Sequence, residues 1–188
     1  MSKQYICDDC KKEFNKKLID IDNNIDDITI KELGEIMIFL PKTKHNTNIG
    51  IKSGWNKFYV HNGEKLYYDN YEIDDLSLII CYRGYESVHI DQYFTIGKNV
   101  PAVMQIKKDI DYVLLKYIYY YLLYNTKIIV TKSGLMNNEQ LCKVKIPIPN
   151  LEIQKQIIRY YSNSKKEIER IIDEFKSKIN SYMDLVIT

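Results

Sequence analysis

Two prolines, Pro147 and Pro149, mark a point where this chain must change from extended backbone to helix. Each proline lacks an N–H and pushes the residue before it towards an extended conformation, so no helix can run through them. Asn150 follows, and its short polar side chain can accept a hydrogen bond from an early helical N–H, which predicts it as the N-cap. Residues 151–188 contain neither proline nor glycine. We therefore predict one long helix from residue 150 onwards.

The predicted helix repeats its apolar residues every 3.5 positions, the spacing at which two helices meet along a seam. Lys165 falls on this seam and would help to fix its register. An amphipathic helix lying on the core of its own domain also fits. We favour the coiled coil because a face packed on a globular core usually drifts off a strict heptad over many turns. The predicted dimer seam consists of Ile158, Tyr161, Ile168, Ile172, Phe175, Ile179, Tyr182 and Val186.

The length and charge of the chain limit what it can be. At 188 residues it can form one well-buried domain with an appendage, but is short for two full domains. Its formal net charge is only +2, so a DNA-binding surface would have to come from local clustering of cations. No apolar run is long enough to span a bilayer and the N-terminus has no signal region, which predicts a cytoplasmic protein without membrane contact. Reduced, buried thiols are expected at Cys81 and Cys142.

Cys7 and Cys10 form a Cys-x-x-Cys knuckle like the first half of a C2H2 zinc finger. Two histidines about a dozen residues later would complete a tetrahedral site, but Asn23 and Asp27 stand there. We predict that residues 1–27 are a tail with a degenerate knuckle and an acidic linker. No cofactor is expected, and Cys7 and Cys10 are only a weak candidate for a metal site.

Two aromatic segments, residues 55–61 and 64–68, flank Asn62-Gly63, a dipeptide typical of tight hairpin turns. The hairpin combines cations that can bind phosphates with planar groups that can meet base edges. The other interpretation is that the aromatic residues are core and the lysines are merely solvated. The candidate DNA-binding residues here are Lys52, Trp55, Asn56, Lys57, His61, Asn62 and Lys65.

Further strands are predicted in the middle of the chain. Residues 76–82 form a continuous apolar run, which indicates a central strand buried on both faces. Residues 88–96 alternate apolar and polar, which predicts one strand with a single buried face, and residues 100–106 add another. A helix is predicted at 111–125 from its apolar face. A short strand at 127–130 and an alternating strand at 142–146 follow it.

Two loops complete the candidate DNA-binding set. The guanidinium of Arg83 can form bidentate hydrogen bonds with guanine or with a pair of phosphates. The alternative role is an ion pair with Glu86 or Asp91. Tyr85 lies in the same turn. The second loop, residues 131–135, is polar and contains a glycine. It contributes Lys132 and Ser133.

Several of these segments resemble the specificity subunit of type I restriction-modification enzymes. The pattern I-P-I-P-x-L-E-x-Q-x-x-I-I at 146–158, followed by a heptad helix, is similar to the family's junction between a target recognition domain and a conserved helix. Leu-Gly-Glu-Ile at 33–36 resembles the short helix that opens such a domain, which Thr29 would cap. The Arg83 turn, the tyrosine-rich segment 116–123 and the glycine loop also match the family's pattern. The resemblance runs from about residue 28 to the end.

This resemblance implies an α+β fold. A mixed β-sheet target recognition domain with packed helices would occupy residues 28–149, and a coiled-coil spacer helix residues 150–188. A complete subunit of the family carries two of each, and this chain has room for one. The implied function is to select a sequence in double-stranded DNA for a separate DNA methyltransferase subunit. The implied partner for the helix is a second copy of the chain or another specificity chain.

The resemblance also implies a non-catalytic chain, and the sequence contains no phosphate-binding loop, nucleophile elbow, metalloprotease motif or adenine-methyltransferase loop. The alternative function is a protein-interaction scaffold, such as an orphan or interfering half-subunit that does not bind DNA. Near-neutral charge favours this alternative, whereas the hairpin, the Arg83 turn and the glycine loop favour DNA recognition.

Overall fold

The computed structural model describes residues 28–43, 45–61, 64–81, 87–131, 134–135, 137–164, 166 and 170. The strands among these residues are β1 (Thr29–Glu32), β2 (Met37–Phe39), β3 (Asn56–Tyr59), β4 (Lys65–Tyr68), β5 (Ser77–Ile80), β6 (Val88–Asp91), β7 (Phe94–Ile96), β8 (Ala102–Ile106), β9 (Val130–Thr131), β10 (Gly134–Leu135) and β11 (Lys145–Ile148). The helices are α1 (Leu33–Ile36), α2 (Leu115–Tyr124), α3 (Asn138–Cys142) and α4, which is helical over residues 151–164. The predicted α+β class is confirmed.

A four-stranded antiparallel sheet in the order β2-β8-β5-β6 forms the centre of the fold. Every residue of β5 is buried because both faces of this strand are covered. Leu78 and Ile80 belong to the larger apolar core, and Ile79 and Cys81 belong to a second core on the other face. The predicted central strand, buried on both sides, is therefore confirmed. Burial also raises the pKa of the Cys81 thiol to about 12, so Cys81 is a buried, protonated thiol as expected.

Helix α2 belongs to the larger core together with residues of β5, β6 and β8. Tyr117 is fully buried on this helix, and its hydroxyl donates a hydrogen bond of 2.5 Å to the carbonyl of Pro147 in β11. Burial also raises the pKa of this hydroxyl. The helix begins at Leu115, later than the predicted residue 111. Leu114 is still extended, with ψ 127°, and its N–H donates to a side chain of α4.

A second sheet in the order β4-β3-β7 covers the other face of the central sheet. Strands β3 and β4 pair antiparallel with Asn56 opposite Tyr68, which confirms the two strands of the predicted hairpin. Its turn at Asn62-Gly63 lies outside the described residues. Strand β7 runs parallel to β3, and Phe94 and Ile96 contribute to the second core. The strands of this small sheet carry three of the described candidate DNA-binding residues, Asn56, Lys57 and Lys65.

The single strand predicted over residues 88–96 is wrong. The chain forms β6 in the central sheet, turns, and continues as β7 in the small sheet. Tyr93, in the turn, has φ 59°, a left-handed conformation that no strand residue adopts. Thr95, which the alternation placed on an open face, is fully buried and donates to the carbonyl of Asn70 at 3.1 Å. The pattern failed because β7 is covered on both faces.

Strand β1 precedes α1 and pairs with β11, which corrects the prediction that Thr29 caps the opening helix. Glu32 is the N-cap residue, and its N–H donates to the carboxylate of Glu35 at 2.7 Å. This hydrogen bond lowers the pKa of Glu35. Gly34 is required here because a Cβ at this position would lie 2.9 Å from Cβ of Cys142 in α3.

Two later elements also differ from the prediction. Cys142 was predicted to begin a strand, but it ends α3, whose first turn is fixed by reciprocal hydrogen bonds between Asn137 and Gln140. The strand is β11 and starts at Lys145. The strand predicted at 127–130 is a 3₁₀ turn over Thr126–Ile129 followed by β9. The capping box of Asn137 and Gln140 starts α3 in the first case, whereas the prediction followed apolar alternation.

The junction that follows β11 agrees with the prediction. Asn150 caps α4, because its side-chain oxygen accepts a hydrogen bond from the N–H of Ile153 at 3.1 Å. Pro147 lies in a two-stranded sheet, where a missing donor is tolerated. The extended segment therefore changes to helix at the predicted residue.

The first turns of α4 pack on the larger core. Ile157 and Tyr161 are buried in the larger core, and the ring of Tyr161 lies 4.4 Å from that of Tyr124, between centroids. Ser162 shares a hydrogen bond of 3.0 Å with the hydroxyl of Tyr120. Ile158, half-buried, packs against the same core. The first two members of the predicted dimer seam thus contact their own domain in this structure.

The other seam residues, from Ile168 to Val186, lie outside the described residues, as do residues 1–27 with Cys7 and Cys10. The coiled coil, the boundary at residue 150 and the N-terminal tail therefore stay predictions. Among the helices of the described part of the chain, none combines the length and apolar character needed to cross a membrane.

Candidate nucleic-acid interface

The half of the small sheet formed by β3, β4 and the Ile51 segment beyond β4 brings together Lys52 and Lys57, and we call this half the candidate DNA edge. Ile51 pairs with Tyr67 of β4 through two backbone hydrogen bonds of 2.9 Å, and Tyr67 is also the partner of Lys57. Ile51, Tyr67 and Lys57 therefore lie side by side on three neighbouring segments. Two interstrand steps separate the outer pair, a distance of about 10 Å. Residues 52 and 57, five apart in sequence, belong to the same half of the small sheet.

Trp55 is the most exposed large side chain of this edge, with 98% of its surface in contact with solvent. Lys52 is also exposed. Between them, Gly54 allows the loop to approach β4, since a Cβ there would lie 2.9 Å from Cβ of Tyr67. A free indole on a loop held against a sheet can stack on a base or fill a groove. Lys52 beside it can contact a phosphate.

Lys57 and Asn56 are less available than their sequence positions suggested. The Lys57 ammonium donates to the carboxylate of Asp91 at 2.7 Å, and the amide of Asn56 donates to the carbonyl of Asp69 at 3.0 Å. Tyr59 also donates to Asp91, at 2.7 Å. Burial alone would raise the pKa of Asp91, but these hydrogen bonds and the N–H of Gln92 hold it below its usual value. Asp91 is therefore a charged partner that fixes Lys57.

Of the remaining candidate DNA-binding residues, the structure describes only His61 and Lys65. His61 is half-buried, and its Nδ1 is buried without a hydrogen-bond partner among the residues that the structure describes. Lys65 belongs to β4 and pairs with Tyr59 in register. Asn62, Arg83, Tyr85, Lys132 and Ser133 lie outside the described residues. The structure thus brings Lys52, Trp55, Asn56 and Lys57 together and leaves the contribution of both loops a prediction.

Sequence reasoning missed two residues that shape this edge. Tyr59 was predicted only as part of an aromatic segment, and Gly54 was not considered. Asp91 had been considered as a partner for Arg83, which lies outside the described residues, and in the structure Asp91 pairs with Lys57. The parallel pairing of β3 with β7, which no local pattern indicates, creates this contact.

The described residues contain no group of three or more histidine, cysteine or acidic side chains placed to hold a metal ion. A stretch of exposed cation, exposed indole and hydrogen-bonding amide is suited to binding rather than to chemical catalysis.

Comparison with known proteins gives the chain a family. The family model described as "Type I restriction modification DNA specificity domain" matches residues 22–179. No curated protein matches the chain.

Among solved structures, the S subunit of a type I restriction-modification system from M. genitalium is similar, with a TM-score of 0.64 and 12% identity over 89% of this chain. A chain from a structure on complex assembly and conformational transition of the type I R-M system has a TM-score of 0.59 and 16% identity over 87% of this chain. The HsdS subunit from Thermoanaerobacter tengcongensis has a TM-score of 0.55 and 14% identity over 86%. These likenesses support the fold. The chain spans 49%, 47% and 46% of those three chains, about half of each.

Proposed function

The chain belongs to the type I restriction-modification DNA specificity domain family, and from this premise we propose that it selects a sequence in double-stranded DNA for a separate methyltransferase subunit. The family match over residues 22–179 is the observation that carries the proposal. The chain itself would perform no chemistry. It would position the DNA, and the bound methyltransferase would modify it.

The geometry of the small sheet supports DNA contact at one edge. Lys52 supplies an exposed cation without an ion-pair partner among the described residues, and Trp55 supplies an aromatic ring that is almost completely exposed. In contrast, Lys57 must leave Asp91 before it can bind a phosphate. We therefore assign the phosphate contact of this edge mainly to Lys52. Sequence preference would come from Trp55, Asn56 and the predicted Arg83 turn.

A complete specificity unit would need a second recognition domain, because the chain spans about half of the S subunits that it resembles. We propose that a second copy or a different specificity chain supplies it through helix α4. Two domains joined in this way would read two half-sites at a fixed separation.

DNA binding is tested by fluorescence anisotropy on random duplex pools over a series of salt concentrations, with and without the methyltransferase subunit. Each phosphate contact that is lost should reduce the slope of log affinity against log salt by about 0.9. Lys52→Ala should show this reduction and Lys57→Ala a smaller one. Lys108→Ala, an exposed lysine in a turn remote in sequence from this edge, is the matched control.

Arg83→Ala should relax sequence preference more than it weakens binding. The variant with alanine at Lys52, Lys57, Lys65, Arg83 and Lys132 should lose most of its salt dependence. An unchanged slope in this variant would remove the surface from consideration. Failure of the wild-type chain to bind any duplex, with or without the methyltransferase, would favour the scaffold function.

A further inference from the structure

A second surface of the small sheet carries aromatic and acidic side chains, whereas the candidate DNA edge carries cations. Tyr71 and Tyr93 lie edge to face with ring centroids 5.2 Å apart, and each is about half exposed, at 50% and 51%. Leu76 is 44% exposed. Asp74 and Asp75 are exposed between these residues in sequence. We call Tyr71, Asp74, Asp75, Leu76 and Tyr93 the Tyr71 patch.

Backbone pairing on two sides holds the patch together. Ile73 and Phe94 exchange hydrogen bonds of 2.9 and 3.0 Å, so the chain before β5 lies along β7. Ser77 pairs with Asp91 at the end of the β5–β6 ladder, which places Leu76 beside the turn that contains Tyr93. The segment of residues 71–76 therefore lies next to the turn that contains Tyr93.

The Tyr71 patch and the Ile51 segment, next to Lys52 and Trp55, lie at opposite edges of the small sheet, whereas Lys57 lies on the middle strand β3 and bonds to Asp91. The Ile51 bridge extends the sheet beyond β4, and the Ile73 bridge extends it beyond β7. Four interstrand steps lie between these two bridges, which corresponds to about 19 Å.

Tyr93 is held in a conformation that is unfavourable for a tyrosine. Its φ of 59° is the only positive value for a non-glycine residue in the described part of the chain. Glycine, asparagine or aspartate would adopt it more easily than a bulky residue does. Asp91 anchors the turn by accepting hydrogen bonds from Lys57, Tyr59 and Gln92. A strained backbone conformation that positions a large exposed ring indicates a functional role for the Tyr93 side chain.

The charge of the patch excludes a phosphate backbone as its natural partner. Residues 66–82 contain four carboxylates, Asp69, Glu72, Asp74 and Asp75, and no lysine or arginine. Glu72 is paired with His45 at 2.5 Å. Within the described residues, Asp74 and Asp75 have no ion-pair partner. Their charges would repel DNA and attract a surface rich in lysine and arginine, and exposed tyrosines are typical anchors of protein interfaces.

From these observations we propose that the Tyr71 patch docks a basic surface of the methyltransferase subunit. The identity of this partner rests on the proposed function above, and the surface itself rests on the geometry and charge of the patch. Tyr71 and Tyr93 would fill an apolar depression of the partner, and Asp74 and Asp75 would pair with cations at its rim.

The test is isothermal titration of the full chain with the purified methyltransferase subunit at low and high salt. Tyr71→Ala with Tyr93→Asn should weaken the association at least about tenfold, because aromatic anchors dominate interface energy. Asn is chosen at position 93 because it tolerates positive φ. Asp74→Lys with Asp75→Lys should weaken it most at low salt. Asp109→Lys with Glu139→Lys reverses two exposed charges elsewhere and should leave it unchanged.

DNA binding of the chain alone at low salt is measured in parallel. Unchanged duplex affinity in the Tyr71→Ala, Tyr93→Asn variant, together with weaker methyltransferase binding, supports the docking surface. A loss of duplex affinity with methyltransferase binding intact would make the patch a DNA surface and overturn the proposal. A wild-type chain that binds DNA but not the methyltransferase overturns the docking surface alone. Binding of the methyltransferase without any DNA binding contradicts only the DNA-recognition function.

Discussion

At the scale of single residues, the buried amide of Gln154 connects helix α4 to the domain. Its oxygen accepts from the N–H of Leu114 at 2.9 Å, and its NH₂ group donates to the carbonyls of Tyr112 at 2.8 Å and Pro149 at 2.7 Å. The side chain is fully buried. One glutamine side chain therefore satisfies backbone hydrogen-bonding groups both just before α2 and at the junction before α4. This explains why a glutamine suits this position.

We expect Gln154→Leu to lower the free energy of unfolding by about 3 kcal/mol or more, since each buried polar group left without a partner costs about 1–3 kcal/mol. Gln156→Leu makes the same chemical change at an exposed position of the same helix and should stay within about 0.5 kcal/mol of wild type. Urea denaturation with an unchanged m-value measures both. Equal effects of the two substitutions would contradict the structural role of the Gln154 amide.

Because of Asp91, the free energy of unfolding of the domain should depend on pH. Its folded-state pKa is lowered by hydrogen bonds from Lys57 and Tyr59, which outweigh burial. The stabilisation is thus present above the unfolded-state pKa of about 3.9 and is lost as pH falls through the lower folded-state value.

The urea midpoint of Asp91→Asn should therefore lie below that of wild type at neutral pH, and the two should converge as the pH falls below about 4. Asp109→Asn, which removes a carboxylate from an exposed turn, controls for the change in net charge. A difference between Asp91→Asn and wild type that is constant over this pH range would show that the Asp91 charge does not stabilise the fold.

At the scale of elements, the contact between α1 and α3 depends on the absence of one side chain. A Cβ at Gly34 would lie 2.9 Å from Cβ and 3.2 Å from Cα of Cys142. Backbone on the far side leaves little room for relief, so Gly34→Ala should destabilise the domain by about 1–3 kcal/mol. Gly97→Ala is a matched control, because its Cβ would meet its nearest neighbour at an ordinary 3.5 Å. Thermal unfolding of both variants should separate them, and equal melting temperatures would contradict this packing.

The elements that sequence predicted correctly are those with one dominant local cause. Pro149 and Asn150 determine the start of α4, and the apolar run of β5 reflects cover on both faces. The segment of residues 88–96 failed because its alternation continues through a turn at Tyr93, where tertiary pairing with two different sheets overrides the local period. Cys142 failed for a related reason, since the Asn137 cap starts a short helix within an alternating segment.

The candidate DNA edge was predictable in composition but not in pairing. Lys52 and Trp55 lie exposed, as a nucleic-acid contact would need. The engagement of Lys57 by Asp91, 34 positions away, depends on a parallel strand pairing that no local sequence signal encodes. The Tyr71 patch escaped notice because its tyrosines lie on separate segments that meet only in the folded chain.

At the scale of the whole molecule, the described part of helix α4 and its predicted continuation would have different roles. Its first turns pack on the domain through Ile157 and Tyr161. The predicted seam continues with Ile168, Ile172, Phe175, Ile179, Tyr182 and Val186, which are outside the described residues. If they form the predicted helix, they would present an apolar stripe of a size that monomeric proteins rarely expose. Covering this stripe requires a second helix.

We therefore expect the chain to dimerise through the later part of the helix, either with itself or with a second specificity chain. Ile172→Asp with Ile179→Asp would place unpaired charges in the seam and should convert a dimer to a monomer. The domain should keep its urea midpoint because Gln154 and Tyr161 already fix the start of the helix. Gln156→Asp with Asn163→Asp adds the same two charges at exposed helical positions and should leave the dimer intact. Sedimentation of the wild-type chain as a monomer at tens of micromolar, roughly the upper limit for a useful homodimer, would exclude self-association and leave a second specificity chain as the partner.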